Sequence, residues 1–157
     1  MKEIPLTQGK ASVVDDEDYD ELSIFKWFAH KQVKAPGTYY AERNIHTTPG
    51  KRKPLAMHIA IMNPPAGYQV DHRDGNGLNN QRYNLRVCVC SQNQANARKR
   101  VDCSSGAKGV SRKHGKWVAR IQVNKKRVHL GFFPTVEQAA GAYKTAAKEY
   151  FGDFART

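Results

Sequence analysis

The chain has 157 residues, 39% of them hydrophobic, and a formal net charge of +12. That is enough apolar material for one domain or two small ones, while no apolar run approaches the ~18 residues a membrane helix needs. The polar, acidic start "MKEIPLTQGKASVVDDEDYDE" is unlike a secretory signal, so a soluble protein of the cytoplasm is expected.

The charge is unevenly spread. Residues 1–50 carry six Lys/Arg against eight Asp/Glu, residues 51–103 nine against three, and residues 104–157 eleven against three. A basic two-thirds behind a mildly acidic front points to a polyanion gripped by the later segments. The plain alternative is a charge that serves solubility alone. The three cysteines, Cys88, Cys90 and Cys103, are an odd number with no zinc-ligand spacing, so buried reduced thiols are expected rather than a disulfide framework or a metal site.

In chain order, "ASVV" reads as a strand. "DDEDYDELSIFKWFAH" reads as a helix with Leu22, Phe25 and Phe28 on one face. Its acids, Asp15 to Glu21, are expected to be a solvated first turn at the positive end of the helix dipole rather than a metal cluster. "TYYAERNIHTT" and "KRKPLAMHIAIM" continue as strand and strand–helix up to the turn cluster "NPPAGYQ". His58, inside the apolar stretch "LAMHIAIM", is expected to be a satisfied core histidine, with a site-lining role as the alternative.

The asparagine-rich stretch "VDHRDGNGLNNQRYNLRVCVCSQNQAN" follows. "YQVDH" reads as a strand, "RDGNGLNNQ" as a loop and "RYNLRVCVC" as a second strand, with Ser91 capping a helix over "SQNQANARKRV". This order would bring Asp71 and His72 beside Asn93 on the first helical turn, with Asn96 on the same helix face. An Asp carboxylate and an Asn amide oxygen are hard ligands suited to Mg²⁺, and an imidazole can take a proton from water near neutral pH. Together they could hydrolyse a phosphodiester. The alternative is that Asn and Gly here only build turns.

The stretch resembles the HNH homing-endonuclease motif of the ββα-metal nucleases, in the form that opens with Asp-His and carries asparagine at later positions. The resemblance runs from Asp71 through the "DG…LNN…NLR" loop to the "N-x-x-N" helix start. It implies Asp71 and Asn93 as metal ligands, His72 as general base, and Asn84 as the residue that ties the two strands and helps hold the His72 ring. Asn93 stands where many relatives carry histidine, which favours Mg²⁺, with Mn²⁺ able to substitute, over zinc or nickel. Arg98, Lys99 and Arg100 would follow along the helix and, with Asn96, grip DNA.

The last third has another texture. "WVARIQVN" alternates, with Trp117, Ala119, Ile121 and Val123 on one face and Val118, Arg120, Gln122 and Asn124 on the other. "KRVHLG" continues the pattern, and Asn124-Lys125 suits a hairpin turn. Thr135 and Gln138 form a capping box. Val136, Ala139, Ala140, Tyr143, Ala146, Ala147 and Tyr150 then make a helical stripe that Gly152 can end. The predicted unit is a three-stranded antiparallel sheet on one helix. Its free face would carry Arg112, Lys113, Arg120, Gln122, Arg127 and His129 to the DNA major groove. RNA fits less well, since base-stacking aromatics are missing from that face. "GVSRKHGKWVARI", "HLGFFPTVEQAAGAY" and "AAKEYFGDFA" are similar to the APETALA2/ethylene-response-factor DNA-binding domain. That resemblance places Arg120, Gln122, Arg127 and His129 against DNA and Trp117 in the core.

The fold class expected is therefore α+β: a ββα-metal HNH core joined to an APETALA2-like sheet domain. The expected divisions are an α/β segment over 1–53 belonging to the nuclease, the HNH core over 54–100, a linker over 101–104 and the reader over 105–157. The order of units resembles homing endonucleases of phage and bacteria. It implies a Mg²⁺-dependent nuclease acting on double-stranded DNA in a bacterial or phage-infected cell, and a monomer is expected because a single chain carrying cleaver and reader can address an asymmetric site. The alternative is a DNA-binding regulator built on a non-catalytic HNH scaffold.

Overall fold

A computed structural model describes residues 1–33, 37–97 and 103–156. The chain forms two compact units, Met1–Cys88 and Val89–Thr157, and its mixture of helices and strands is α+β. Among the described residues no helix is long and apolar enough to cross a membrane.

The first unit opens with an antiparallel pair, β1 (Lys2–Pro5) and β2 (Ala11–Val14), followed by helix α1 (Asp16–Ser23). The helix is shorter than its apolar spacing suggests. Leu22 is buried, Phe25 is 36% exposed, and Phe28 lies on the next strand, β3 (Phe28–Lys31). Trp27 ends the helix: its indole N–H donates to the Leu22 carbonyl at 2.8 Å, satisfying one of the open C-terminal acceptors. Strand β3 pairs with β4 (Tyr39–Thr48), and β4 with β5 (Lys51–Ala56), giving a sheet of order β3-β4-β5. Helix α2 (Met57–Met62) follows at once. The core gathers Ile4, Leu6, Val14, Leu22, Trp27, Ala29, Ala41 and Met57.

The acids of α1 are not all solvated. Asp18 is buried and takes two hydrogen bonds from Arg82, at 2.6 and 2.9 Å. Asp15 accepts from the Arg82 backbone N–H at 2.7 Å and the Gln81 amide at 3.0 Å, and Glu17 sits 3.1 Å from the same guanidinium. Asp15, Glu17 and Asp18 do cluster, but Arg82 and Gln81 already engage oxygens of all three. What looked like a helix-start signature also anchors the asparagine-rich loop.

In the second unit β8 (Val110–Lys113), β9 (Lys116–Val123) and β10 (Lys126–Phe133) form an antiparallel meander, β9 central. Asn124 and Lys125 turn β9 into β10 with φ of 49° and 66°, the two left-handed residues of a type I′ hairpin. Helix α4 (Val136–Phe151) starts at Thr135, whose side chain accepts from Gln138 N–H at 3.3 Å, and ends at Gly152. Its buried stripe is Ala139, Tyr143, Ala146, Ala147 and Phe151. Tyr150, expected on that stripe, is 48% exposed, because the sequence i, i+4, i+8 from Tyr143 arrives at Phe151. Gly109 allows the close approach: a Cβ there would lie 2.2 Å from the Tyr143 ring and 2.5 Å from the Arg120 carbonyl.

Helix α3 (Cys90–Asn96) is part of this second unit and packs on α4. Its cap is Val89, whose N–H donates to the Gln92 side chain at 3.0 Å; Ser91, the expected cap, lies inside the first turn. The Lys108 ammonium closes the other end on the carbonyls of Gln94, Ala95 and Ala97. Burial, then the charge of Arg156, draws its pKa down to about 8. Of the cysteines only Cys88 is buried; Cys90 is exposed and Cys103 intermediate.

Candidate active site

Asp71 and His72 end β6 (Gln69–His72), which pairs with β7 (Leu85–Cys88) so that Asp71 faces Arg86 and His72 faces Leu85. Directly opposed side chains in an antiparallel pair touch, and here they form a buried ion pair. Arg86 donates to Asp71 Oδ2 from Nε at 2.8 Å and from Nη2 at 2.7 Å. Arg86, in the "NLR" of the motif, was not singled out from the sequence; the signal was its hairpin register with Asp71.

The loop joining the strands answers the question of turn or site with both. Asp74 accepts from the Asn76 backbone at 2.7 Å, and Asn76 in turn accepts from the Leu78 backbone at 3.1 Å, two successive Asx turns. Asn84, 2% exposed, donates to Asp74 Oδ1 at 3.0 Å and to the Asn79 carbonyl at 2.8 Å, and accepts from Asp74 N–H at 3.1 Å. Burial acts to raise the Asp74 pKa, but the hydrogen bonds from Asn76, Asn79 and Asn84 outweigh it and hold the carboxyl below its ordinary value. The loop is also strapped to β2: Val13 N–H donates to the Leu78 carbonyl at 2.9 Å and Asn80 N–H to the Val13 carbonyl at 2.8 Å.

That strap brings Asn80 to His72. Asn80 is 0% exposed, and its Oδ1 lies 3.1 Å from His72 Nε2. Its Nδ2 donates to Ser12 Oγ at 2.7 Å, and Ser12 Oγ donates to the Leu78 carbonyl at 3.1 Å. The direction of the chain follows: the amide N–H₂ is committed to Ser12, so the oxygen faces the ring and Nε2 carries the proton. The imidazole lone pair is then on Nδ1. The resemblance assigned the ring's support to Asn84; the hydrogen bond to the ring comes from Asn80, while Asn84 knits the loop beneath it. Ser12 and Asn80 were missed because their meeting depends on a contact 68 residues apart.

Two further aromatic rings face His72. His58 meets it edge-on at 4.9 Å between centroids, and Tyr40 lies 5.6 Å away. His58 therefore lines the site, the less expected of its two readings. Burial, and then the charge of His72, pushes the His58 pKa down to about 3. Burial likewise lowers His72, with the Asn80 hydrogen bond and the carboxylates of Asp74 and Asp71 opposing it. Both imidazoles are consequently neutral at pH 7, the state a proton acceptor requires. Tyr40 is raised by burial and by the Asp71 charge.

The structure thus gathers Asp71, His72 and Asn84 in the first unit with Tyr40, His58, Asn80 and Arg86. Asn93 stands in α3 of the second unit. Asn96, expected at DNA, is 6% exposed and belongs to the interior. Arg98, Lys99, Arg100 and part of the expected linker over 101–104 lie outside the described residues.

On the C-terminal sheet, register places Arg127 opposite Gln122 and His129 opposite Arg120, so these four share one face. Lys113, opposite Lys116, is on that face too. Arg112 is not: it opposes Trp117, over whose ring its guanidinium sits at 5.9 Å, on the side of the buried Val110 and Ala119. Phe132 joins the basic face, 51% exposed and 5.0 Å from the His129 ring. The sequence pattern, read only as far as Gly131, had left that face without an aromatic. The bulge between His129 and Gly131 shifts the register by one, and Phe132 then opposes Val118, which it helps to cover.

An acid and a histidine side by side on a short buried hairpin, closed by an asparagine-knit loop, have the makings of a hydrolytic nuclease centre. Known proteins agree: the HNH endonuclease family profile matches residues 62–95. A protein of Acanthamoeba polyphaga mimivirus described as an HNH endonuclease is 38% identical over 149 residues, covering 94% of this chain and 74% of that protein. Protein 3.8 of Escherichia phage T7 is 33% identical over 94 residues, 59% of this chain and 77% of that protein. The chain belongs to the HNH endonuclease family. Over 44 residues the chain is 50% identical to the dehydration-responsive element-binding protein 2A of Arabidopsis thaliana, 27% of this chain and 13% of that protein.

Proposed function

We propose that this chain is a homing-type, metal-dependent endonuclease that cuts double-stranded DNA with its first unit and reads the site with its C-terminal sheet. The observation that carries the reading is the buried chain from Ser12 through Asn80 to His72. A neutral imidazole with its proton fixed on Nε2 is prepared to accept another at Nδ1 and would do little for a scaffold. In the reaction, water attacks the phosphorus as His72 Nδ1 takes its proton. The bond to the 3′ oxygen breaks and that oxygen takes a proton from solvent, leaving 3′-hydroxyl and 5′-phosphate ends.

The carboxylate of Asp71 and the amide oxygen of Asn93 would hold Mg²⁺, or Mn²⁺ in its place. Both are the hard oxygen donors these ions take, so the residues fit. When bound, the ion stabilises negative charge on the phosphate and the departing oxygen. Arg86 orients the Asp71 carboxylate through Oδ2, and Asn84 keeps the loop in shape. Lys113, Arg120, Gln122, Arg127 and His129 would meet DNA from one face. The partial likeness to a plant element-binding protein supports this use of the sheet. Arg98, Lys99 and Arg100 would add phosphate contacts. One centre of this kind per chain suits a monomer that nicks.

The test is cleavage of supercoiled plasmid carrying phage or host DNA, with Mg²⁺, by the wild type and His72→Ala. Nicked or linear product from the wild type alone is expected. DNA binding by both with cleavage by neither, under Mg²⁺ or Mn²⁺, would make the protein a regulator instead.

A further inference from the structure

The part of the first unit that the cutting centre does not use is the far end of the β4–β5 hairpin. Strand β3 covers β4 only from Tyr39 to Glu42. From Arg43 onward β4 has β5 alone as its strand neighbour, with Asn44 opposite Pro54, Ile45 opposite Lys53, His46 opposite Arg52 and Thr48 opposite Lys51. This is a two-stranded ribbon with Asn44, His46, Thr47, Thr48, Lys51, Arg52, Lys53 and Pro54 all exposed. Isolated hairpins of this kind are marginal in water, and no apolar face of its outer half is buried to support it.

Charge and direction say what would cover it. Between Arg43 and Val70 there is no acidic residue, while Arg43, Lys51, Arg52 and Lys53 are basic. Lysine and proline on an outer strand guard against edge pairing, but guarding an edge does not require that acids be excluded. Side chains alternate along a strand, so Tyr40, Glu42, Asn44 and His46 share one face, with Arg52 opposite His46. Tyr40 is the residue that lies 5.6 Å from His72, so Arg52 and His46 lie on the face that carries the catalytic ring. Arg43 is on the other face, stacked 3.6 Å over the Phe25 ring.

We propose that the β4–β5 ribbon is a second DNA-contacting surface, in which Arg52 from the face that carries the His72 ring, and Lys51 and Lys53 from the opposite face, grip phosphates flanking the cut. This rests on the nuclease reading above. The distance is set by the strand: six residues from Tyr40 to His46 at about 3.3 Å each span about 20 Å. Along a duplex rising 3.4 Å per base pair, that is about six base pairs from the scissile phosphate. The contact is to backbone and carries no sequence preference of its own.

The experiment uses the full-length His72→Ala chain and the site at which the wild type cuts plasmid DNA, mapped by run-off sequencing. Hydroxyl-radical footprinting should show protection about six base pairs to one side of the cut, lost in a Lys51→Ala/Arg52→Ala/Lys53→Ala version of the same chain. Plots of log affinity against log salt should become shallower by roughly 2 to 3 for the triple variant, since each phosphate contact contributes about 0.9. Cleavage by the wild type with a footprint that stops at the cut, or an unchanged salt slope, would overturn the ribbon and leave the nuclease reading standing. Absence of wild-type cleavage on any DNA would remove the nuclease reading and the ribbon with it.

Discussion

The two units use their polar residues in opposite ways. In Met1–Cys88, Ser12, Asp18, Asp71, His72, Asn80, Asn84 and Arg86 are all buried, while among the described residues Asn96 is the only buried polar one in the second unit. There the interior is Ala119, Ile121, Ala139, Tyr143, Ala146, Ala147 and Phe151, and the polar groups stand outside on a sheet face. The difference teaches what each kind of chemistry asks of a fold. Proton transfer needs one ring in one tautomer, which only a closed network of hydrogen bonds provides. Contact with a long polyanion needs side chains that reach solvent and are held only by strand register.

Substitutions should separate the two modes, beginning with the largest effect. His72→Ala should lower the cleavage rate by about 10²- to 10⁴-fold, the usual contribution of a general base, with DNA affinity within about twofold of wild type in a gel-shift titration. An equal loss in both would merge the two units' roles. Arg86→Leu strands the Asp71 carboxylate in the interior, and urea unfolding should record a loss of about 3–5 kcal/mol. A loss below about 1 kcal/mol would mean that the buried network is not structural. By contrast, Arg120→Ala and Arg127→Ala remove exposed side chains. Thermal unfolding should leave stability within about 0.5 kcal/mol, while each substitution makes the salt dependence of DNA binding shallower by about 0.9.

Acid sharpens the same comparison. The His58 pKa is about 3 in the folded chain against 6.5 ordinarily, so the unfolded chain takes up the proton first. The stability that this neutral ring supports is complete above pH 6.5 and declines as pH falls towards 3, at up to about 1.4 kcal/mol per pH unit. The lowered Asp74 carboxyl acts in the same direction. Fluorescence of Trp27, in the first unit's core, should therefore report loss of structure at a higher pH than Trp117 in the second. Single-tryptophan variants would check the order. At Asn80 an intermediate effect is expected: Asn80→Ala removes the oxygen that faces His72 Nε2 and the amide that donates to Ser12 Oγ, costing about 1–3 kcal/mol. It should lower kcat with little change in KM, a split that a merely structural residue would not produce.

Much of this was legible in the sequence, and for identifiable reasons. Strand alternation in "WVARIQVN", the Asn124-Lys125 turn, the Thr135 cap and the Gly152 stop are local signals, decided within a few residues by backbone geometry, and they appear as read. The Asp71-His72 pair on a hairpin strand was legible for the same reason. Local patterns failed wherever a distant group intervened. Trp27 ended α1 before Phe25, a one-residue bulge moved Phe132 across the sheet, and register carried Arg112 to the Trp117 side. Asn84 and Asn80 are indistinguishable as letters in "LNNQRYN". The strap to β2 decides which of them touches the histidine. The sequence by itself determined which chemical groups the protein has and which short elements carry them. Only the tertiary structure decided the tautomer of His72, because that depends on a hydrogen-bond chain closed by Ser12, 68 residues from Asn80, and no periodicity in a chain encodes a contact at that separation.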